Sequence, residues 1–195
     1  QREELTASWY DSFFQSIPAD YYCKGMYRQR NDVMSGMIVE CKPKHIFEFA
    51  AGCHQLANMV LSRYQGIERY DWSDFSRGCV EMCKPHLAKH DSCRTDILDI
   101  DKNYNAVQWD LYDTVISVSI EHLKYDLQII SSISSGCRVF LSVPTFGCKQ
   151  HRRFFKDEKD IFRRFGHLLH IKEIKQIRYP FFWKIKKFII YGIRK

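Results

Sequence analysis

The feature that most constrains the fold is a continuous stretch rich in β-branched residues, 112–120 (YDTVISVSI), with no charged side chain after Asp113. This composition favours a β-strand. A strand without polar alternation is typical of a parallel sheet that is covered on both faces. Residues 45–50 and 138–143 have the same texture, and helical patterns at 55–64 and 123–133 lie between the three segments. The alternation predicts an α/β fold.

Weaker patterns complete the sheet. Residues 66–71 and 94–98 are predicted strands, and residues 72–84 between them are predicted to be largely helical. A helix near 157–165 precedes two late strands, 167–177 and 186–193, with no long helix between them, so we expect these two to pair antiparallel at one sheet edge. The prediction is a three-layer sandwich around a mostly parallel, seven-stranded sheet with an antiparallel last strand.

Length and composition predict one globular domain. The chain has 195 residues, 45% of them hydrophobic and 27% charged, which excludes a disordered chain. We expect residues 1–44 to form N-terminal helices that act as a lid, and residues 45–195 to form the ligand-binding core. No apolar run reaches the length of a membrane span. Because the first residue is Gln and no signal peptide is recognisable, we expect a cytoplasmic domain excised from a longer protein.

The eight cysteines do not predict a disulfide framework. Cys79 and Cys83, with His86 and His90, are loosely similar to a zinc site, but the short spacing of common structural sites is missing. We therefore expect reduced thiols and no bound metal.

Polar residues follow the predicted strands. Ligands of open α/β sheets bind beyond the carboxyl ends of the strands. Acidic residues occur there in four strands, at Glu48, Asp71, Asp96 and Glu121. This order resembles the class I S-adenosylmethionine (AdoMet)-dependent methyltransferases, and the resemblance covers roughly residues 46–195. It implies a Rossmann-like fold, AdoMet as cofactor and S-adenosylhomocysteine as product.

The resemblance assigns cofactor contacts. Glu48 matches the family's acid before a GxGxG turn, of which only the central glycine is kept. Asp71, nineteen residues after that glycine, matches the ribose-binding acid, with Glu68 as the competing choice. Asp96 and Ile97 match the adenine site. The implied cofactor-binding residues are Glu48, Ala50, Gly52, His54, Asp71, Trp72, Asp96, Ile97 and Ser119.

Two histidines are the candidate catalytic bases. His122 belongs to a Glu-His pair that resembles family members in which this pair faces the methyl group, and His151 opens a run that resembles the roof of the acceptor site. An imidazole titrates near neutrality and can accept a hydroxyl proton. Either histidine could instead only line or cap the pocket. Arg152 or Arg153 would hold an acidic or phosphorylated acceptor, or lie on the surface.

Aromatic residues of the N-terminal helices form a lid over the cofactor or pack on the sheet: Trp9, Tyr10, Tyr21, Tyr22 and Tyr27. The resulting hypothesis is an O-methyltransferase acting on a hydroxyl of a small molecule or a sugar, within a glycan-modifying protein. The net charge of +7 prompts the alternative of an RNA or cap methyltransferase. The two lost glycines prompt a third hypothesis, a catalytically degenerate AdoMet-binding module.

Overall fold

The computed structural model describes residues 5–18, 21, 24–178 and 185–195. Its central sheet has the strand order β3-β2-β1-β4-β5-β7-β6. The strands β1 to β5 are parallel, and β7 runs antiparallel between β5 and β6. The strands are β1 (His45–Glu48), β2 (Arg69–Asp74), β3 (Cys93–Ile97), β4 (Thr114–Ser117), β5 (Arg138–Pro144), β6 (Leu169–Arg178) and β7 (Lys186–Arg194). The predicted fold class is confirmed.

Helices cover both faces of the sheet. They are α1 (Ala7–Ser16), α2 (Gly25–Glu40), α3 (Gln55–Arg63), α4 (Arg77–Leu87), α5 (Ile100–Asn103), α6 (Asp126–Ser132) and α7 (Glu158–Phe165). Side-chain caps fix three helix starts, because Thr6, Ser76 and Asp157 each accept a hydrogen bond from a backbone N–H of the first turn. None of these helices is long and apolar enough to cross a membrane.

The core is divided by the sheet into two apolar layers. The first packs α2, α3 and α4 against one face and contains Met34, Leu56 and Trp72, and the second packs α6 and α7 against the other face. In β4, Ile116 belongs to the first layer and Val115 to the second. Burial of successive residues on opposite faces explains why this strand is apolar without alternation.

Two predicted strand ends are wrong. The strand β4 ends at Ser117 rather than residue 120, and the chain then turns into a 3-10 helix, Ile120–His122. The strand β2 continues to Asp74, so that Trp72 belongs to the strand and the following helix begins only at Arg77. Pairing with β3 explains the longer β2, because the register that starts at Tyr70↔Cys93 continues without interruption to the last residues of both strands.

The late strands pair as predicted. The two strands β6 and β7 form an antiparallel ladder, and β7 also pairs antiparallel with β5. Because β7 inserts beside β5, it brings buried Lys187 next to Pro144, at the carboxyl end of β5.

Candidate functional site

Two adjoining cavities lie at the carboxyl ends of the parallel strands, where an open α/β sheet binds its ligands. The first cavity has a volume of about 560 Å³ and the second about 330 Å³. Both are lined by the same seven residues at their junction: Tyr10, Ala50, Phe75, His122, Leu123, Gln150 and His151. The first extends towards Asp99, and the second extends towards Arg30 and Lys187.

The loop after β1 forms the floor of the junction. Ala50 and Gly52 have positive φ angles of 48° and 66°. Glycine adopts this conformation freely, whereas alanine does so at a cost, so the surroundings must hold the loop in place. Asp74 does this, because its carboxylate accepts hydrogen bonds from Gly52 N at 2.9 Å and Ser76 N at 3.0 Å. Burial raises the pKa of Asp74 to about 6.

Glu48 lies beneath this loop and lines neither cavity. It is fully buried at the end of β1, where its Oε2 accepts a hydrogen bond of 2.7 Å from the Tyr70 hydroxyl. Burial raises the pKa of Glu48 to about 8. The structure therefore places this predicted cofactor residue one layer below the cavity.

The structure places Asp71 and Trp72 away from both cavities. Asp71 lies in the middle of β2, and its Oδ2 accepts hydrogen bonds from Arg69 Nε at 2.7 Å and the Tyr112 hydroxyl at 2.5 Å. Trp72 is fully buried in the first core layer. Glu68, the competing choice, precedes β2 and forms an exposed ion pair with Lys44. The acid at the end of β2 that lines the second cavity is Asp74.

The residues expected at the adenine site also lie outside both cavities. Asp96 and Ile97 are exposed and line neither cavity, and the Asp96 carboxylate accepts a hydrogen bond from Ile97 N. Asp99 lines the first cavity together with its neighbours Leu98 and Ile100. Because β3 runs to Ile97, only a residue beyond that point can reach the sheet edge.

Three of the remaining predicted cofactor residues do line a cavity. Ala50 lines both, and Gly52 and Ser119 line the second. His54, at the third glycine position, does not, because its ring stacks on His86 with 4.1 Å between ring centroids. Burial lowers the pKa of His54 to about 4, so it is neutral near pH 7.

The two predicted histidines meet at the junction. The His122 and His151 ring centroids are 5.1 Å apart, and Glu121 Oε1 lies 3.7 Å from the Nε2 atom of each. Tyr10 of α1 reaches the group, with its hydroxyl 3.1 Å from His122 Nδ1. Burial lowers the pKa of both histidines, that of His122 to about 4. Sequence reasoning therefore found the central group of the cavity.

Two buried cations in the second cavity were not predicted. Arg30 is 3% exposed and Lys187 is 6% exposed, and both lie against the Tyr27 ring at 5.6 and 5.7 Å from its centroid. Within the described part of the chain, no carboxylate forms an ion pair with either one. Burial lowers the pKa of Lys187 to about 8. Neither residue belongs to a motif, so the sequence carried no signal for them.

The N-terminal aromatic residues divide between the two expected roles. Tyr10, Tyr21 and Tyr27 line the second cavity, as a lid would. Trp9 instead stacks on Phe13 and lines neither cavity. Tyr22 lies outside the described residues. The helix α1 is anchored by Asp11, whose carboxylate accepts hydrogen bonds from the Ser76 hydroxyl and from Gly78 N.

The two arginines that were candidates for holding the acceptor have different surroundings. Arg152 lines the first cavity, whereas Arg153 donates to the Leu123 carbonyl at 2.7 Å and pairs with Asp126 at 3.0 Å. Arg153 therefore has a structural partner. The zinc-like group does not converge either, since Cys79 and Cys83 are buried in the first core layer and His90 bonds Asn58 instead.

Comparison with known proteins identifies the fold. No protein-family model matches the sequence, and no curated protein matches it. Among solved structures, N-methyltransferase NodS from Bradyrhizobium japonicum WM9, in complex with S-adenosylhomocysteine, has a TM-score of 0.75 and 9% identity over 96% of this chain and 98% of that chain. Magnesium protoporphyrin IX methyltransferase (ChlM) from Synechocystis PCC 6803, with bound AdoMet, has a TM-score of 0.69 and 17% identity over the full length of both chains.

An O-methyltransferase family protein from Burkholderia thailandensis gives a TM-score of 0.64 and 11% identity over 96% of this chain and 60% of that chain. At these identities the likeness is one of fold. The chain has the Rossmann-like fold of the class I AdoMet-dependent methyltransferases.

Proposed function

We propose that this protein is an AdoMet-dependent methyltransferase that holds AdoMet across the two adjoining cavities. One observation carries the proposal: the cavities meet over the Ala50–Gly52 loop, with an acid at one end and, at the other, a buried arginine that has no carboxylate partner among the described residues. AdoMet is an elongated molecule with a nucleoside at one end and an amino-acid carboxylate at the other. The arrangement of polar groups matches that distribution.

In this proposal the adenine lies in the first cavity and the ribose at the junction of the two cavities. Asp99 accepts the exocyclic amine of adenine, and the apolar side chains of Leu98 and Leu123 hold the ring. Asp74, in the lining of the second cavity, faces the ribose, because a carboxylate has about four lone-pair positions and two backbone donors leave some of them available. These two acids replace the predicted Asp96 and Asp71.

The methionine end lies in the second cavity. Arg30 is placed to pair with its carboxylate, since a guanidinium buried without an ionic partner is costly and gains most from an anionic ligand. An added Cβ atom at Gly52 would meet no protein atom within 4 Å, and it would project from a strained backbone. Because glycine has no Cβ atom, the chain can pass close to the ligand here.

The acceptor we propose is a hydroxyl of a small molecule or a sugar. Tyr10, Tyr21 and Tyr27 line the second cavity, which has a volume of about 330 Å³ and also takes the methionine end, so the space that remains suits a small ring-shaped acceptor rather than a polymer. The acceptor oxygen attacks the methyl carbon, the C–S bond breaks with its electron pair moving to sulfur, and His122 or His151 receives the hydroxyl proton. Placement in line with the C–S bond supplies much of the rate.

Calorimetry with S-adenosylhomocysteine tests the cofactor assignment. We expect saturable binding to the full chain, with an Arg30→Met variant at least about tenfold weaker because one charge-assisted contact is lost. Arg28→Met, in the same helix, is the matched control and should bind like the wild type, because Arg28 lines neither cavity. Failure of the wild type to bind at millimolar ligand would support the degenerate-module alternative.

Transfer of a labelled methyl group from AdoMet tests the acceptor class. A panel of free sugars, glycosides and small phenols is incubated with the protein, and label in a hydroxyl product supports the proposal. Label in RNA instead, with steep salt dependence, would overturn the acceptor assignment in favour of the nucleic-acid alternative.

A further inference from the structure

Glu121, His122 and His151 offer one ligand atom each, and these atoms lie within 4.8 Å of one another. Within the described ranges, they form the one group of three or more His, Cys, Asp or Glu side chains with that property. Glu121 Oε1 lies 3.7 Å from both imidazole Nε2 atoms. With metal–ligand distances of about 2.1 Å, atoms separated by this much can bind one ion.

The other ring nitrogens of both histidines are held by hydrogen bonds. His151 Nδ1 lies 3.0 Å from the Phe146 carbonyl, which can only accept, so this nitrogen carries the proton and Nε2 keeps its lone pair. His122 Nδ1 lies 3.1 Å from the Tyr10 hydroxyl, which can accept in the same way. Metal-binding histidines characteristically donate their second N–H to such a partner, which fixes the tautomer.

The carboxylate supplies an independent observation. Glu121 is 1% exposed, it lines the second cavity, and its Oε2 has no hydrogen-bond partner among the described residues. A buried carboxylate without donors is costly unless a cation neutralises it. Two imidazole nitrogens and a carboxylate oxygen therefore converge at one point, and no lysine or arginine of the described residues lies within 4.0 Å of that carboxylate.

We propose that Glu121, His122 and His151 bind a divalent first-row transition-metal ion at the junction of the two cavities. Two imidazoles and one carboxylate suit Zn²⁺, Mn²⁺ or Fe²⁺, and three protein ligands leave coordination positions open to a substrate. This differs from the expectation of a metal-free protein that the cysteine pattern suggested.

The function of the ion rests on the proposed methyl transfer, but its binding does not. Both histidines line both cavities, so the open positions face the place proposed for the acceptor. A bound hydroxyl oxygen would be polarised by the ion and lose its proton more readily, which makes it a better nucleophile. The histidines would then position the acceptor through the ion rather than take its proton.

Lys187 is the competing neutraliser of Glu121. Its ammonium group is buried in the second cavity and attracted by that carboxylate, but the two do not form an ion pair within 4.0 Å. If Lys187 were the natural counter-ion, a metal would have to displace it. Lys187→Met removes this competitor and one neighbouring positive charge, so the proposal predicts equal or tighter metal binding by that variant.

The test uses Co²⁺ as a spectroscopic probe on the full chain after treatment with a chelator and without AdoMet. We expect one equivalent of Co²⁺ to bind and to give visible absorption of a low-symmetry site with nitrogen and oxygen ligands. Glu121→Gln and His151→Asn should each weaken binding at least about 100-fold, because a first ligand is lost. Tyr10→Phe, which removes only the partner of His122, should weaken it about 10-fold to 100-fold.

His86→Asn is the matched control, since His86 stacks on His54 away from both cavities. It should bind Co²⁺ like the wild type. Equal Co²⁺ binding by the wild type and Glu121→Gln, or no saturable binding by the wild type, would overturn the proposal. Thermal denaturation of the same samples identifies a variant that fails to fold. A protein that binds S-adenosylhomocysteine but no metal would disprove the metal site alone.

Discussion

Glu48 and Glu121 are both fully buried carboxyl groups near the carboxyl ends of neighbouring strands, but they serve different regions of the molecule. Glu48 lies below the β1 loop, bonded to the Tyr70 hydroxyl within the core. Glu121 lies at the cavity junction beside two imidazoles. Burial raises the pKa of each carboxyl group. Burial alone therefore does not identify a functional acid, and the neighbouring groups do.

The largest expected difference between the two regions is in catalysis. Glu121→Gln should lower the rate of methyl transfer at least about 100-fold, because the group at the reacting centre is disrupted. Glu48→Gln has nearly the same shape and should change the rate less than about threefold. Single-turnover assays with saturating AdoMet measure both. Equal losses of rate in the two variants would contradict the placement of Glu121, and not Glu48, at the reacting centre.

The next effect is the pH dependence of stability at Glu48. Its folded pKa of about 8 is above its unfolded value, so the folded state binds more protons between these two values. The free energy of unfolding should therefore fall as the pH rises from about 4.5 to about 8, by an amount on the order of 5 kcal/mol. Glu48→Gln should remove this fall. Urea denaturation of both proteins across the pH range is the measurement, and parallel curves would refute the assignment.

A smaller effect is expected from the tyrosines that contact the two regions. Tyr70→Phe removes the donor to Glu48 and should lower the free energy of unfolding by about 1–2 kcal/mol, with the cofactor affinity unchanged. Tyr10→Phe removes a hydroxyl at the cavity and should change stability by less than about 0.5 kcal/mol. Thermal denaturation measures both changes in stability. A larger loss of stability for Tyr10→Phe than for Tyr70→Phe would contradict the assignment of Tyr70 to the core and Tyr10 to the cavity.

The two histidines at the cavity junction were more predictable than the acids at the strand ends. His122 and His151 were found because a Glu-His pair follows the clearest strand and a second histidine follows β5. The acids expected beyond β2 and β3 were Asp71 and Asp96, whereas the acids that line the cavities there are Asp74 and Asp99, each three residues later. Strand ends depend on pairing with neighbours, and a spacing rule taken from a family does not contain that information.

Arg30 and Lys187 could not have been predicted from the sequence. One is in a helix and the other in an edge-region strand, and each belongs to a segment with many other charged residues. Only the packing of α2 and β7 against the sheet buries these two cations and leaves their neighbours exposed. The same packing brings Tyr27 between them.

The sequence by itself determined the α/β architecture, the antiparallel last strand and the position of the β1 loop, because apolar periodicity and turn residues act over short distances. Tertiary structure decided which acids line the cavities, which histidines lie beside Glu121 and which cations are buried. The ends of the strands depend on their hydrogen-bond register with neighbouring strands, and burial depends on how distant elements pack. Both are fixed only when the whole chain is folded.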